Sequence, residues 1–245
     1  MIIIGQSLPH EYADSLRSFG HTIVVMPPDP RLPAPVSSHP DMLLFFYGNT
    51  LITDQTYFRE IARGEIDQIC QFGCFNLLLT NEPPGVSYPE DIRFNVLPLG
   101  DYFFCHPTHT SPVIRDLAKR QQKILLPTRQ GYARCAACPV GSHAIITADP
   151  AIAHVAKKQD LDVCFIRQGH VILPGYPHGL IGGCCGIFEN KFFFCGDPSL
   201  HPDGNQMLEF IHSHGVIPRM ISSLPLFDAG SLFFISECTH SETLL

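Results

Sequence analysis

The sequence predicts an α/β fold, a five-fold pseudo-symmetric α/β propeller of ββαβ modules in which the C-terminal strand completes the first module. Three observations predict it. A short apolar strand, a tight turn and a second apolar strand recur about five times at a spacing of roughly 40–50 residues, which marks an array rather than an open sheet. Each copy ends in a polar or Asp-Pro break: Ile3-Ile4-Gly5-Gln6-Ser7, Leu51-Ile52-Thr53-Asp54-Gln55, Phe103-Phe104-Cys105-His106-Pro107, Ile145-Ile146-Thr147-Ala148-Asp149-Pro150 and Phe193-Phe194-Cys195-Gly196-Asp197-Pro198. The first copy also lacks an opening strand. The far end of the chain, Ser231 to Ile235, can supply it, closing a ring and leaving no bare sheet edge.

The elements follow in order. In the first module, a strand at Ile2 to Ile4 leads to a helix near Pro9 to Phe19 and a strand at Thr22 to Met26. In the second, strands Met42 to Tyr47 and Thr50 to Thr53 flank Gly48-Asn49. A helix from Tyr57 to about Arg63 and a strand at Phe75 to Leu79 follow, and the Pro-rich stretch Asn81 to Asp91 connects onward. In the third, Phe94 to Leu99 and Tyr102 to Cys105 flank Gly100-Asp101, before a helix at Pro112 to Gln121 and a strand at Lys123 to Leu126. In the fourth, Arg134 to Val140 and His143 to Thr147 flank Gly141-Ser142, a hairpin signal. Asp149-Pro150 then caps a helix to Gln159, with Asp at N-cap and Pro in the first turn, and Val163 to Arg167 closes the module. In the fifth, strands Cys184 to Phe188 and Lys191 to Cys195 precede a helix capped by Asp203 and a last strand at Ile217 to Ile221. We expect a single domain over 1–245.

Composition narrows the partners. The chain is 45% apolar and 16% charged, with net charge −7 and no basic cluster, so neither nucleic acid nor an anionic membrane is an expected partner. No stretch reaches the ~20 apolar residues of a membrane span, and Met1 to Gly5 is too short and uncharged for a signal peptide. A cytoplasmic chain is expected, and there its ten cysteines stay reduced and mostly serve as small buried hydrophobes. Cys135-Ala136-Ala137-Cys138 is a lone CxxC followed by Pro139. In a strand its two sulfurs would face opposite ways, which suits neither a shared metal nor a disulfide. No phosphate loop, dinucleotide fingerprint or serine elbow is present, so no cofactor is expected.

Aligning the copies on their hairpin turns puts Asp41, Arg93, Arg134, Cys184 and Asp228 near equivalent positions, just before each first strand and around one end of the channel. A few polar groups at the mouths of apolar strands suit a concave binding site; strand ends are also where polar residues simply gather. His39 and Asp41, two apart, share a face if the backbone is extended. Asp228 sits between Leu226-Phe227 and Ala229-Gly230, and a carboxylate in such a frame needs a partner: a cationic ligand, or Arg134 or Arg93 across the channel. His178, in the Gly-rich loop Gly169 to Gly183 with His170 and Tyr176, is a candidate acid/base. In His201-Pro202-Asp203 the Asp reads as a helix N-cap.

Ser38-His39-Pro40-Asp41, Gln130-Gly131-Tyr132-Ala133-Arg134-Cys135, Leu173-Pro174-Gly175-Tyr176, Gly196 to Gly204 and Leu226-Phe227-Asp228-Ala229-Gly230-Ser231, set on this ring, resemble the pentein superfamily of guanidino-group-modifying enzymes. The likeness is nearest to an uncharacterised bacterial family with that fold. The superfamily includes deiminases, amidinotransferases and dimethylarginine hydrolases, and a ribosome-binding anti-association factor shares the fold without catalysis. The resemblance implies hydrolysis of a guanidino or related cationic nitrogen compound. His39 then stands where these enzymes carry an acid/base and Asp41 where a carboxylate grips the guanidinium, with Pro40 a departure from their motif. Their nucleophilic Cys precedes the last strand, where this chain reads Pro225-Leu226-Phe227-Asp228-Ala229. Cys184 is a substitute on thiolate chemistry alone, and Cys238 lies beyond the strand. The alternative is a catalytically silent pentein that binds a small ligand or a protein partner. Oligomeric state is left open.

Overall fold

Five three-stranded sheets, each with its middle strand antiparallel to one neighbour and parallel to the other, form the protein. The structure, a computed structural model, describes residues 1–238, and residues 239–245 of the expected domain lie outside it. The first module has β1 (Ile2–Gly5), α1 (His10–Arg17) and β2 (Ile23–Met26). The second begins with a four-residue helical turn, α2 (Pro40–Leu43), and continues through β3 (Leu44–Tyr47), β4 (Thr50–Asp54), a π-type turn at Tyr57–Ile61, α3 (Arg63–Gly73) and β5 (Asn76–Thr80). The third has β6 (Leu97–Leu99), β7 (Tyr102–Cys105), α4 (Pro112–Arg120) and β8 (Ile124–Pro127). The fourth again starts on a helical turn, α5 (Ala133–Ala136), before β9 (Ala137–Val140), β10 (Ala144–Thr147), α6 (Pro150–Lys157) and β11 (Asp162–Phe165). In the fifth a 3₁₀ turn, Ile181–Cys184, leads into β12 (Cys185–Phe188), β13 (Lys191–Phe194), α7 (Gly204–Ser213) and β14 (Ile217–Met220).

The ring closes as the repeat predicts. β15 (Phe233–Phe234) pairs antiparallel with β1, Ile2 opposite Phe234, while β2 runs parallel on the other side. The hairpins turn on Gly48, Gly100, Gly141 and Glu189, all with φ between +54° and +65°, the left-handed region that a tight two-residue hairpin needs. The middle strands supply much of the core. Phe103, Phe104, Phe192 and Phe194 are wholly buried, each worth about 2–3 kcal/mol of apolar burial.

Several expected boundaries and one cap need correction: the first strand of the third module begins at Leu97 rather than Phe94, and the second module's α-helix spans Arg63–Gly73 rather than Tyr57 to Arg63. Strands were expected to begin at Met42, Arg134 and Cys184, but a helical turn comes first in each case and the strands begin at Leu44, Ala137 and Cys185. Pro40 at the first position of α2 favours helical φ and needs no N–H partner there. Asp149 caps α6 as expected, accepting from Ile152 N at 2.9 Å. Asp203 occupies the N-cap position of α7 but makes no cap bond. Its carboxylate instead receives Arg167 N at 2.7 Å and the Arg167 guanidinium at 2.6 Å, because a charged bidentate partner outcompetes a backbone N–H.

The expectation of ten reduced cysteines also fails. Cys74, in the left-handed position that ends α3, is disulfide-bonded to Cys238, with Cα atoms 5.7 Å apart. Cys238 N donates to Phe72 O at 2.9 Å, so the chain leaving β15 is already held against the end of α3. The other eight thiols are free. Thiol titration of the denatured, unreduced protein should count eight groups, rising to ten on reduction. Cys238→Ser should lower the unfolding free energy by about 2–5 kcal/mol, the usual range for losing a native disulfide; a count of ten before reduction would contradict the bond.

Candidate functional site

The segment that closes the ring also builds the floor of a pocket lined by His39, Cys135, His178 and Asp228. Ala229 N and Ser231 N both donate to Gly183 O, and Asp41 N donates to Gly230 O, so the C-terminal segment is laced to the turns before β3 and β12. Gly230 (φ +70°) must be glycine, since a Cβ there would run into His39. Gly183 must be too, since its Cβ would collide with the Asp228 carboxylate. Ser231 holds φ +68° without that excuse. Strain of this kind in a non-glycine residue concentrates at functional sites.

Asp228 is 2% exposed and lies on the pocket floor. It accepts from Leu180 N at 2.8 Å and from Gly230 N at 3.1 Å. His39 Nδ1 stands 3.7 Å from Asp228 Oδ1, inside ion-pair range but too far for a hydrogen bond. Neither His39 nitrogen has a hydrogen-bond partner among the described residues. Burial holds the His39 imidazole below its ordinary pKa, against the pull of Asp41. Burial pushes the Asp228 carboxyl up to about 6 despite its two backbone donors.

Asp41 lies one layer beneath. It is not extended alongside His39 as expected. It sits in the first turn of α2, and it is absent from the pocket wall that includes His39. Its Oδ2 receives Cys135 Sγ at 3.0 Å and lies 2.7 Å from Ser231 Oγ, while Oδ1 has no partner. Burial raises its pKa, opposed by His39. Asn95 completes the cluster: Oδ1 accepts from Arg134 N (2.8 Å) and Cys135 N (3.2 Å), and Nδ2 donates to Cys135 Sγ at 2.9 Å. Burial first, then the Asp41 and Asp228 charges, raise the Cys135 thiol well above its ordinary pKa. At neutral pH it is a hydrogen-bond donor, not a thiolate.

The sequence-predicted residues therefore separate. His39, Asp228 and His178 line one pocket of about 560 Å³. His178 is half-buried there, with Nδ1 2.9 Å from Gly179 O and Nε2 3.1 Å from Gln168 Nε2. Arg134 is buried but turned away, its guanidinium 3.4 Å from Gly182 O and 5.6 Å from the Phe233 ring centre. Arg93 lies outside the pocket on Pro83 O and Glu82. Neither arginine pairs with Asp228, so the internal ion pair weighed above is not formed. Cys184 is wholly buried outside the pocket wall, its sulfur on Ile181 O at 3.0 Å. Counting back three residues from the strand starts, the position matching Asp41 and Arg134 is Gly182 rather than Cys184. Sequence reasoning missed Cys135, Asn95 and Ser231. In the CxxC, Cys135 lies in α5 and Cys138 in β9. Their sulfurs diverge to Asp41 and to Ile181 O, but a change from helix to strand, not alternation along one strand, sends them apart.

The upper wall adds Tyr88, Tyr132, Tyr176, Gln130, Asp149 and Arg129. Among the described residues no group of three or more His, Cys, Asp or Glu is arranged to hold a metal ion, and no helix is long and apolar enough to cross a membrane.

Residues 3–233 match the model of a family described as "Family of unknown function (DUF6873)". No curated protein sequence matches the chain. Among solved structures, an inosamine-phosphate amidinotransferase from Streptomyces griseus superposes with TM-score 0.57 at 11% identity, over 93% of this chain and 79% of that one. A DDAH from Pseudomonas aeruginosa complexed with citrulline gives TM-score 0.53 at 11% identity, over 91% of each chain. A dimethylarginine dimethylaminohydrolase adduct with S-methyl-L-thiocitrulline gives 0.53 at 10%, over 91% and 92%. At such identities the likeness establishes the pentein fold.

A carboxyl group whose pKa climbs from 3.8 to about 6 on folding holds its proton more tightly in the folded state. Its contribution to stability is full below pH 3.8 and lost as pH rises through about 6. Between pH 4 and pH 7 the wild type should therefore lose up to about 3 kcal/mol that Asp228→Asn does not lose, at about 1.4 kcal/mol per pKa unit. Urea unfolding of both proteins at the two pH values measures this, and a pH-independent difference would mean that the carboxyl group is solvated.

Proposed function

The chain belongs to the DUF6873 family and has the pentein fold, and from that premise we propose that it binds a small guanidinium or amidinium compound on the pocket floor, with the Asp228 carboxylate as counter-ion. One observation carries the reading. Asp228 is a buried carboxylate facing a pocket of about 560 Å³, and among the described residues no Lys or Arg lies within ion-pair distance of it. Such a group needs a cation. A guanidinium can meet it with two parallel hydrogen bonds, and the neutral His39 beside it adds no competing positive charge.

Binding without covalent catalysis fits the floor better than hydrolysis does. A covalent thiol mechanism needs a sulfur activated by a neighbouring base, and among the described residues no cysteine sulfur hydrogen-bonds to a histidine. Cys135 shares the pocket with His39, and this favours hydrolysis as the second reading. Its thiol, however, donates to Asp41 and faces two carboxylates that oppose its ionisation. A chain of net charge −7 does not suit nucleic acid or an anionic membrane surface as a partner; location in the cytoplasm is part of the proposal, and the Cys74–Cys238 disulfide counts against it.

Butylguanidinium should raise the melting temperature at pH 7.5, with the effect fading as pH falls through about 6 and Asp228 takes up its proton. Asp228→Asn should abolish the shift, Asp41→Asn should reduce it, and Cys135→Ser should leave it. No shift with butylguanidinium, guanidinium, agmatine or arginine at any pH would end the cation reading. Turnover of a guanidino compound that Cys135→Ser abolishes would restore the covalent one.

A further inference from the structure

Above the floor, the pocket wall carries three tyrosines from three separate segments: Tyr88 before the third module, Tyr132 just before α5, and Tyr176 in the loop before β12. Tyr88 and Tyr176 are 47% and 42% exposed, so they form the mouth. The Tyr88 and Tyr132 rings lie 5.5 Å apart and tilted by 41°. Tyr88 is fixed by its hydroxyl on Arg129 O at 3.0 Å. Tyr132 is fixed by donating its hydroxyl to Asp91 Oδ2 at 2.7 Å.

Asp91 is wholly buried, is not itself part of the wall, and its Oδ1 has no partner among the described residues. Burial first, and Asp91 after it, raise the pKa of both Tyr132 and Tyr176, which puts a buried carboxyl group, its own pKa raised by burial, close to two of the three rings. Asp149 adds a second carboxylate to the wall. Among the described residues no Lys or Arg stacks on any of the three rings; the cation–ring contacts that form are Arg63 on Phe58 and Arg134 on Phe233. Arg129 is the wall's one Lys or Arg, and it is exposed. Electron-rich ring faces backed by carboxyl groups favour a weakly hydrated cation, whereas a ligand carboxylate would meet Asp149 and the field of Asp91.

We propose that Tyr88, Tyr132 and Tyr176 form a second cation subsite, selective for an alkylated ammonium group. The ligand is then a bis-cation, its planar head on Asp228 and its onium end between the tyrosines, and not a zwitterionic amino acid. The bis-cation half of this rests on the floor reading above; the tyrosine subsite stands without it.

Calorimetry on the intact chain separates the two. Choline should bind about tenfold more tightly than its neutral isostere 3,3-dimethylbutan-1-ol, a difference within the reach of cation–π attraction. Choline binding should persist in Asp228→Asn, fall about tenfold in Tyr176→Leu and survive in Tyr176→Phe, since the ring face and not the hydroxyl is used. Tyr176 is exposed and makes no side-chain hydrogen bond among the described residues, so its variants should fold, whereas Tyr132→Leu would also remove the bond to Asp91. Equal binding of choline and the alcohol, no choline binding, or binding lost in Asp228→Asn and untouched in Tyr176→Leu would each overturn the subsite. (4-Guanidinobutyl)trimethylammonium should bind at least about tenfold more tightly than butylguanidinium, as joined subsites require. No gain, or tighter binding of arginine, would overturn the bis-cation. If butylguanidinium alone fails while choline behaves as expected, the floor reading falls and the tyrosine subsite stands.

Discussion

The return of the last strand to the first is the constraint on which the rest of the structure depends. Ile2 pairs with Phe234, Met1 N donates to Ile235 O and Ile235 N to Met1 O. The residues immediately before that strand are Asp228, Gly230 and Ser231. Leu232 N on Cys185 O and the two N–H groups on Gly183 O fix them against the fifth module, while Asp41 N on Gly230 O fixes them to the second. Closing the ring and assembling the pocket floor are therefore one event. A ring has no spare edge on which the segment can slip, because a one-residue shift would turn each inward side chain outward.

That constraint also explains why an electrostatically unfavourable floor persists. Asp228 has two backbone donors, Asp41 has a thiol and a hydroxyl, and the His39 ring has no hydrogen-bond partner among the described residues. A half-satisfied buried polar cluster destabilises a fold, and it survives where the surrounding structure over-determines it and function uses it. Here the over-determination is visible in glycines 183 and 230, where an added Cβ would run into the Asp228 carboxylate and the His39 ring. Electrostatics favours the proposed binding over covalent chemistry. Ionising Cys135 would put a third negative charge beside two buried carboxylates, whereas a cation placed there relieves the first two.

The ring was legible in the sequence because its signals are local and repeated: hairpin turns at fixed spacing, apolar strands, and one Asp-Pro cap. The helical turns before β3, β9 and β12 were not. Four residues are too few to set a period, and Met42 to Tyr47 reads as a continuous apolar strand whichever way its first two residues turn. His39, Asp228 and His178 were legible as polar groups at strand ends or in a Gly-rich loop. Cys135 was not, because its polar surroundings come from Asn95 and Asp41, 40 and 94 residues away in the chain. The tyrosine mouth is likewise assembled from three segments that share no pattern. The Asp203 cap failed because Arg167, 36 residues upstream, competes for the same carboxylate.

The turns themselves explain which residue of each module meets the pocket. In α2, α5 and the turn Ile181–Cys184 the second positions are Asp41, Arg134 and Gly182, and none of them reaches the main pocket wall. Asp41 points beneath the floor and Arg134 crosses to Gly182 O. Gly182 leaves room for the carbonyls of Arg134, Cys135 and Ala137. The third positions are Met42, Cys135 and Gly183. Met42 and Cys135 line the pocket, and Gly183 yields its place there to Asp228. A helical turn advances about 100° per residue, so a one-residue error in alignment exchanges a pocket-facing side chain for a structural one. The pocket-facing set of Met, Cys and Gly carries no charge. The charge of the floor is left to Asp228, the one ionisable residue there that the ring-closing segment delivers.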